Sequence, residues 1–209
     1  MRLPYTPNPP LPASSTDAAI VARIAARRAP RPLQPLDLAL LHAPPVADGW
    51  NAFLGAVRER TSLDARTREI AICRVAVVNA AWYEWGHHAP LAVKAGVGEA
   101  AMAVVGRERL VEDGVEGEGE GDGEKAKGEA LEAGLSEREW AVLRYADEMT
   151  RCVRVSDEVF ADLRRVCGER EVVEVTATVA AYNCVSRFLV ALDVGEKNGT
   201  VPDGVAAGH

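Results

Sequence analysis

Residues 69–81 read EIAICRVAVVNAA, and this stretch decides the kind of fold. When it is wound as a helix, apolar residues occupy almost every side, a pattern typical of a helix buried by its neighbours. Its β-branched residues also suit a strand, but its length and the start signal before it favour a helix. That signal is TSLD at residues 61–64, an N-cap with an acid in the first turn, so we expect a helix from about Leu63.

Further helices are predicted on both sides of this stretch, and no hairpin signal accompanies them. Apolar spacing and capping signals predict helices at residues 17–28, 35–43, 50–60 and 81–95, and from about residues 136, 157 and 169. Pro90 should kink the helix that Gly96 ends. A weak internal repeat of buried helices relates residues 53–70 to residues 160–172, and the first copy alone is followed by Glu and His. The predicted fold class is all-α.

The chain is predicted to form one domain with an extended arm and a flexible tail. Its 209 residues, 48% of them apolar, suffice for one core. Prolines predict an extended arm over residues 1–16, which dangles or lies on a neighbouring subunit. The helical domain then spans residues 17–198, and residues 199–209 form the tail. Residues 112–130, rich in glycine and acid, are expected to form a disordered and dispensable insertion.

The net charge and the targeting signals limit the classes of partner and the location that we expect. The net charge is −7 and no basic face is apparent, so we expect neither nucleic acid nor membrane as a partner. There is no signal-peptide pattern and no apolar run of transmembrane length, which favours the cytoplasm. Four widely spaced cysteines read as reduced thiols. Helices that are apolar on nearly all sides exceed what one chain readily covers, which predicts a homo-oligomer.

The run AWYEWGHHAPL at residues 81–91 holds the candidate chemistry. On a helix, Glu84 is adjacent to His87 and His88, and a partly buried Glu beside an imidazole suits proton transfer near neutral pH. A surface Glu-His pair among packed aromatics is the alternative. Glu69 lies in an apolar helix and must be paired, either with an imidazole of the following helix or with an arginine such as Arg68.

Metal and thiol chemistry receive less support. Glu84 and His88, with Glu69 as a third group, have the residue types of a metal site, but the H-x-x-x-H spacing is missing. We therefore expect no metal and no other cofactor. Cys73 lies one helical turn from Glu69, yet no activating positive group can be assigned to it, so we interpret it as a core residue.

These residues resemble the carboxymuconolactone decarboxylase and alkylhydroperoxidase D superfamily. Its pattern is Glu, eleven residues, Cys-x-x-Cys, three residues and His. Glu69 and His88 match its ends, while Ala81 and Glu84 stand at the two cysteine positions. The run YEWGHH at residues 83–88 resembles the decarboxylase-like branch, which lacks the cysteine pair. Residues 35–63 and 182–194 resemble the same group.

The resemblance implies an all-helical carboxy-lyase that acts without a cofactor on a small carboxylated lactone or related unsaturated acid, as 4-carboxymuconolactone decarboxylase does. The missing cysteines argue against a peroxiredoxin or alkylhydroperoxidase-type antioxidant protein, which stays an alternative together with a non-catalytic oligomeric scaffold. His88 is the expected proton donor, oriented by Glu69 and tuned by Glu84, and His87 is the other candidate.

Residue type suggests the remaining substrate contacts. Aromatic side chains are expected to wall the pocket, and an arginine is expected to hold a substrate carboxylate. Core packing or surface charge is the alternative for each of them. The candidates are Trp50, Trp82, Tyr83, His87, Arg74 and Arg187.

Overall fold

The computed structural model describes residues 1–111, 119–203 and 205. Within these ranges it contains ten helices and no strand, which confirms the all-α prediction. The helices are α1 Ser15–Arg28, α2 Pro35–Leu40, α3 Pro44–Glu59, α4 Ala65–Val78, α5 Trp82–Lys94, α6 Glu99–Val105, α7 Gly119–Glu132, α8 Glu137–Cys152, α9 Asp157–Val166 and α10 Glu169–Leu192.

The predicted capping signals lie at the helix ends. Asp64 caps α4, its side chain accepting a hydrogen bond from the Thr67 backbone N–H at 2.8 Å. Ser136 and Glu139 form the predicted capping box of α8. Gly96, just past the end of α5, has a φ of 95°, a conformation that glycine adopts without steric cost.

Helix α4 is the centre of the core. It packs against α5, α8 and α10, and Ile70, Ile72, Val75 and Ala76 on its different sides are completely buried. The chain therefore covers this helix by itself. The expectation that such helices exceed what one chain can cover is wrong for α4, and homo-oligomer formation stays a prediction.

Helix α10 is the longest helix of the described chain, with 24 residues. By length and composition alone it satisfies the criteria for a membrane span, contrary to the expectation that no apolar run reaches that length. It packs on α3, α4, α5 and α8, as the core helix of a globular protein does. It is therefore not a clear membrane span.

The N-terminal arm lies on its own chain. Arg2 donates its backbone N–H to the Leu192 carbonyl at 2.8 Å, and the Thr6 hydroxyl donates to the Leu38 carbonyl at 2.8 Å. Met1 and Tyr5 pack against the main core. We expected an arm that either dangles or lies on another subunit, and both alternatives are corrected. Apolar side chains and backbone hydrogen bonds hold the arm on helices of its own chain.

The acidic insertion is partly helical. Residues 119–132 form α7, on which Ala126 and Ala130 are buried against the core that contains Leu135 and Trp140. Arg107 and Glu129 form an ion pair of 2.8 Å beside them. The prediction of disorder is wrong for this part, because two alanines one turn apart give the helix a small apolar face. Residues 112–118 lie outside the described residues.

We expect Ala130→Asp to destabilise the protein. Ala130 is fully buried, so an aspartate there places an unpaired carboxylate in the core at a cost of about 3 kcal/mol. In a chain of this size that lowers Tm by about 6–12 °C. Lys125→Asp, which puts the same residue on an exposed position of α7, is the control. Equal Tm values for the two variants in a thermal melt contradict the docked helix.

Candidate functional site

A cleft of about 560 Å³, including its open mouth, lies between the first three helices and the pair α5 and α10. Three arginines and both histidines of the run at residues 83–88 lie along it, together with apolar side chains of α3 and α10. Its lining residues are Arg27, Arg28, Gln34, Leu36, Trp50, Leu54, Arg58, Tyr83, Glu84, His87, His88, Tyr182, Val185 and Leu189.

Glu69 and His88 form a buried pair at the base of the cleft. His88 Nδ1 lies 2.6 Å from Glu69 Oε2, and the two residues are 5% and 2% exposed. Burial lowers the pKa of His88 below its ordinary value, although the hydrogen bond to Glu69 opposes the shift. Burial raises the pKa of Glu69, but the hydrogen bond and charge of His88 outweigh it, and the net shift is downward. At neutral pH a neutral imidazole therefore donates Nδ1–H to an ionised carboxylate.

The other nitrogen of His88 is open to the cleft. Among the described residues nothing hydrogen-bonds Nε2. The buried side-chain polar atoms that lack a hydrogen bond there are Tyr83 Oη and Arg68 Nε, and Arg68 Nε lies 3.6 Å from Glu69 Oε1 in an ion pair. His88 lines the cleft, and Nε2 is the ring nitrogen that does not face Glu69. Because Nδ1 carries the proton, Nε2 has a free lone pair. His88 thus presents a proton acceptor to a bound molecule.

Glu84 differs from His88 because it is a group from which a proton can be donated. It is 2% exposed, and burial raises its pKa well above the ordinary range, against the effect of a hydrogen bond with Ser186. The Ser186 hydroxyl lies 3.1 and 3.2 Å from the Glu84 oxygens and 2.8 Å from the Tyr182 carbonyl. The Ser186 hydroxyl can therefore donate either to that carbonyl or to the Glu84 carboxylate, and donation to Glu84 favours its ionised form. Two neighbouring groups whose pKa values are pushed apart are the arrangement of an acid and a base.

Among the described residues, Arg58 is the cation left free at this cleft. Within the described ranges no hydrogen bond or ion pair occupies its guanidinium, whereas Arg28 makes two bonds to Asp37, of 2.8 and 2.9 Å, and Arg27 bonds Asn51. After burial and the Glu69–His88 bond, the charge of Arg58 also influences the pKa values of that pair, so it lies near them. An anionic group of a ligand is its natural partner.

Five of the predicted site residues line the cleft, and Glu69 lies behind His88. The five are Trp50, Tyr83, Glu84, His87 and His88. His87 is exposed and donates Nδ1–H to the Tyr83 carbonyl oxygen, 2.8 Å away. The Tyr83 hydroxyl faces the Leu36 backbone, but it is buried without a hydrogen bond of normal geometry.

Three of the predicted substrate contacts lie elsewhere and are corrected. Trp82 packs with Trp85 in the core cluster that also contains Leu135 and Trp140, and it does not line the cleft. Arg74 is fully buried, where its guanidinium binds Asp147 at 2.6 and 2.8 Å and the backbone carbonyls at Val105, Arg107 and Glu108. Arg187 is exposed on the outer side of α10 and binds Asn183. These two arginines are held by the protein itself, so neither is available to a substrate in the cleft.

The sequence reasoning missed three polar residues of the site. Tyr182 and Ser186 lie one turn apart on the otherwise apolar part of α10, and the Tyr182 ring meets the His88 ring edge-on at 5.0 Å. The requirement that buried polar groups be paired, which was applied to Glu69, would have identified both. Arg58 carries no such signal, because it reads as a surface arginine at the end of α3.

Thiols and metal ligands are not assembled at the cleft. Cys73 is completely buried, and burial followed by the nearby Glu69 and Glu84 charges raises its thiol pKa well above the ordinary value. It does not line the cleft, and neither do the other cysteines. In the described part of the chain no three His, Cys, Asp or Glu side chains are grouped for a metal ion. Independence from metals stays a prediction.

The sequence comparison identifies one family. Residues 44–118 match the model of the carboxymuconolactone decarboxylase family. The matched range includes α3 to α6, and with them Arg58, Glu69, Glu84 and His88. No curated protein matches the chain.

Several solved structures share the fold. An alkylhydroperoxidase AhpD core protein from Ralstonia eutropha JMP134 is 19% identical, with a TM-score of 0.60 over 97% of each chain. A variant of the debrominase Bmp8 in complex with 2,3,4-tribromopyrrole is 14% identical, with a TM-score of 0.64 over 88% of each chain. A protein of unknown function from Agrobacterium tumefaciens, described as an AhpD antioxidant defence candidate, is 18% identical, with a TM-score of 0.58 over 74% of this chain and 92% of that one.

These findings agree with the pattern read from the sequence. The family match covers the Glu69 and His88 helices, and the structural matches extend over most of the chain at the level of the fold. The resemblance of this chain to the carboxymuconolactone decarboxylase family is therefore confirmed over residues 44–118, and AhpD-like proteins share its fold.

Proposed function

We propose that the chain is a cofactor-independent carboxy-lyase, which removes CO₂ from a small carboxylated lactone or related unsaturated acid. The observation that carries the proposal is the combination, at one cleft, of free Arg58, buried Glu84 with its raised pKa and the Glu69–His88 pair. The family match supports this class of enzyme. Bmp8 with its bound tribromopyrrole is a protein of the same fold that holds a small, flat, unsaturated ring.

The reaction needs a poorly solvated place for a carboxylate and a proton for a carbon atom. The bond between the ring carbon and the carboxylate breaks, CO₂ leaves, and the electron pair delocalises into the conjugated lactone carbonyl. Leu54, Val185 and Leu189 line the cleft and offer the leaving carboxylate little solvation. A proton then adds to a ring carbon to complete the product.

Glu84 is our choice for the group that delivers this proton, in place of His88. Burial raises the pKa of Glu84 well above its ordinary value and lowers the pKa of His88, which favours the proton on the carboxyl group over the imidazole. Each turnover consumes one proton, which must be replaced. His88 Nε2 faces the cleft and can take a proton from water for return to Glu84, while the Glu69 carboxylate stabilises the imidazolium that forms.

Arg58 is proposed to hold the substrate through a carboxylate or the lactone oxygen. We expect Arg58→Gln to raise KM about tenfold to a hundredfold with a smaller change in kcat, because it removes a charge-assisted hydrogen bond made before and during the reaction. The measurement is steady-state CO₂ release from candidate lactone acids. Arg187→Gln, on the exposed side of α10, is the control and should keep the parent KM. An unchanged KM in Arg58→Gln removes Arg58 from substrate binding.

The rate of CO₂ release should fall as pH rises through the pKa of Glu84. The group must be protonated to act, so activity is present below that raised pKa and is lost above it. The Ser186 hydrogen bond lowers the pKa of Glu84, so Ser186→Ala should raise it further and move the alkaline limb to higher pH. Parallel pH–rate profiles of the two proteins test this. An alkaline limb that stays in place, or moves to lower pH, contradicts Glu84 as the donor.

The alternatives fit the cleft less well. A peroxide-reducing protein needs an accessible thiolate, but the cleft lining holds no cysteine among the described residues, and buried Cys73 resists ionisation. A scaffold has no use for an ionised carboxylate buried under a histidine. We also propose a cytoplasmic location and a small carboxylic acid as the partner, with neither nucleic acid nor membrane.

A further inference from the structure

We propose that the same cleft also catalyses an allylic proton shift in lactones that carry no carboxyl group, converting a β,γ-unsaturated butenolide into its α,β-unsaturated isomer. The inference takes its lactone substrate class from the proposed function, but it needs no CO₂ release. It rests on the placement of an open proton acceptor, His88 Nε2, and a carboxyl group, Glu84, on one side of one cleft.

The two groups reach the cleft from one face of one helix. Glu84 and His88 are four residues apart on α5, which puts them on one helix face about 6 Å apart along the axis. Both side chains line the cleft. A flat ring lying there meets both groups from the same side. The acceptor and the donor can therefore act on different carbons without the ring turning over.

The step balances without a co-reactant. The C–H bond at the carbon next to the lactone carbonyl breaks, its proton goes to His88 Nε2, and the electron pair moves into the carbonyl to give a dienolate. The Glu84 O–H bond then breaks, and its proton adds to the γ carbon while the double bond moves to the α,β position. The imidazolium returns its proton to the Glu84 carboxylate, directly or through one water. Nothing is oxidised or reduced.

The surroundings stabilise both charges that develop. The Glu69 carboxylate, 2.6 Å from His88 Nδ1, faces the imidazolium that forms when Nε2 takes a proton. Arg58, unoccupied within the described residues, supplies a positive charge for the dienolate oxygen. Burial favours the resting state that the shift requires, because it raises the pKa of Glu84 and lowers the pKa of His88.

The probe is α-angelica lactone, a β,γ-unsaturated butenolide without a carboxyl group, followed in buffered D₂O by proton NMR. The parent protein should exchange the α protons for deuterium and form β-angelica lactone about 10²-fold faster than buffer or more. His88→Gln should lose both signals. Glu84→Gln should keep α exchange and lose most of the isomerisation, because the base remains and the donor is gone. Arg187→Gln should match the parent.

The outcomes separate this inference from the decarboxylase proposal. Exchange no faster than buffer, or unchanged in His88→Gln, overturns the inference. CO₂ release from lactone acids is measured on the same preparation: release without exchange leaves the decarboxylase standing and overturns the isomerase, and exchange without release does the reverse. Loss of exchange and isomerisation together in Glu84→Gln overturns the division of roles between the two groups.

Discussion

His88→Gln is expected to lower turnover of the natural lactone acid by about 10²-fold or more, the usual scale of a lost acid–base group. Glutamine can keep a hydrogen bond to Glu69, but it cannot carry a proton from the cleft. Circular dichroism should show an unchanged fold, because His88 Nδ1 makes a single hydrogen bond in the described structure. CO₂ release from the substrate, identified first among candidate lactone acids, is the measurement.

Glu69→Gln is the matched comparison and should cost less than His88→Gln. The amide oxygen can still accept from Nδ1–H, so the ring stays oriented while the charge that favours the imidazolium is lost. Added chelator should leave the parent rate unchanged. If His88→Gln turns over the substrate as fast as the parent, His88 is structural. If chelator abolishes activity and Zn²⁺ restores it, the reaction depends on a metal centre and not on proton transfer by Glu84 and His88 alone.

Arg74→Met is expected to lower the free energy of unfolding by about 3 kcal/mol or more, the cost of breaking a buried ion pair from one side. Arg74 is fully buried, and its loss removes a donor from the Asp147 carboxylate and from the backbone carbonyls of Val105, Arg107 and Glu108. Methionine fills most of the volume, so the lost hydrogen bonds dominate the effect. A urea unfolding series gives the difference.

Arg151→Met is the control for this change. Arg151 binds the same Asp147, at 3.0 Å, but its side chain is 30% exposed, so its loss should cost less than about 1 kcal/mol. Equal effects of the two substitutions contradict a structural role specific to buried Arg74. A raised KM in Arg74→Met with unchanged stability would restore Arg74 to the substrate site.

The fold was accessible from the sequence because its signals are local. The capping residues Asp64 and Ser136 predict where their helices begin, and the apolar sequence of α4 predicts that this helix is buried. Helix α7 was missed because its sequence is dominated by glycine and acid. The buried face that holds it depends on Ala126 and Ala130, and two small side chains give a weak apolar signal.

The site was accessible only in part. A carboxylate in an apolar helix needs a partner, and this requirement led from Glu69 to an imidazole of the next helix, where the structure has His88. The sequence does not show the direction in which each side chain points in the folded protein. Arg74 and Arg58 are equivalent as residue types, but one points into α4's buried surroundings and the other into the cleft, which tertiary packing alone determines.

Helix α10 is part of the core and also forms the floor of the cleft. This double role limits how the protein can evolve. Tyr182, Val185 and Leu189 line the cleft while they belong to the main core cluster. A substitution that reshapes the floor for a new substrate therefore disturbs core packing as well. Gln34, Trp50 and Arg58 on the opposite wall are half-buried. Substitutions that change substrate preference should therefore arise first on that wall, where they cost the least stability. The floor of the cleft should tolerate few substitutions.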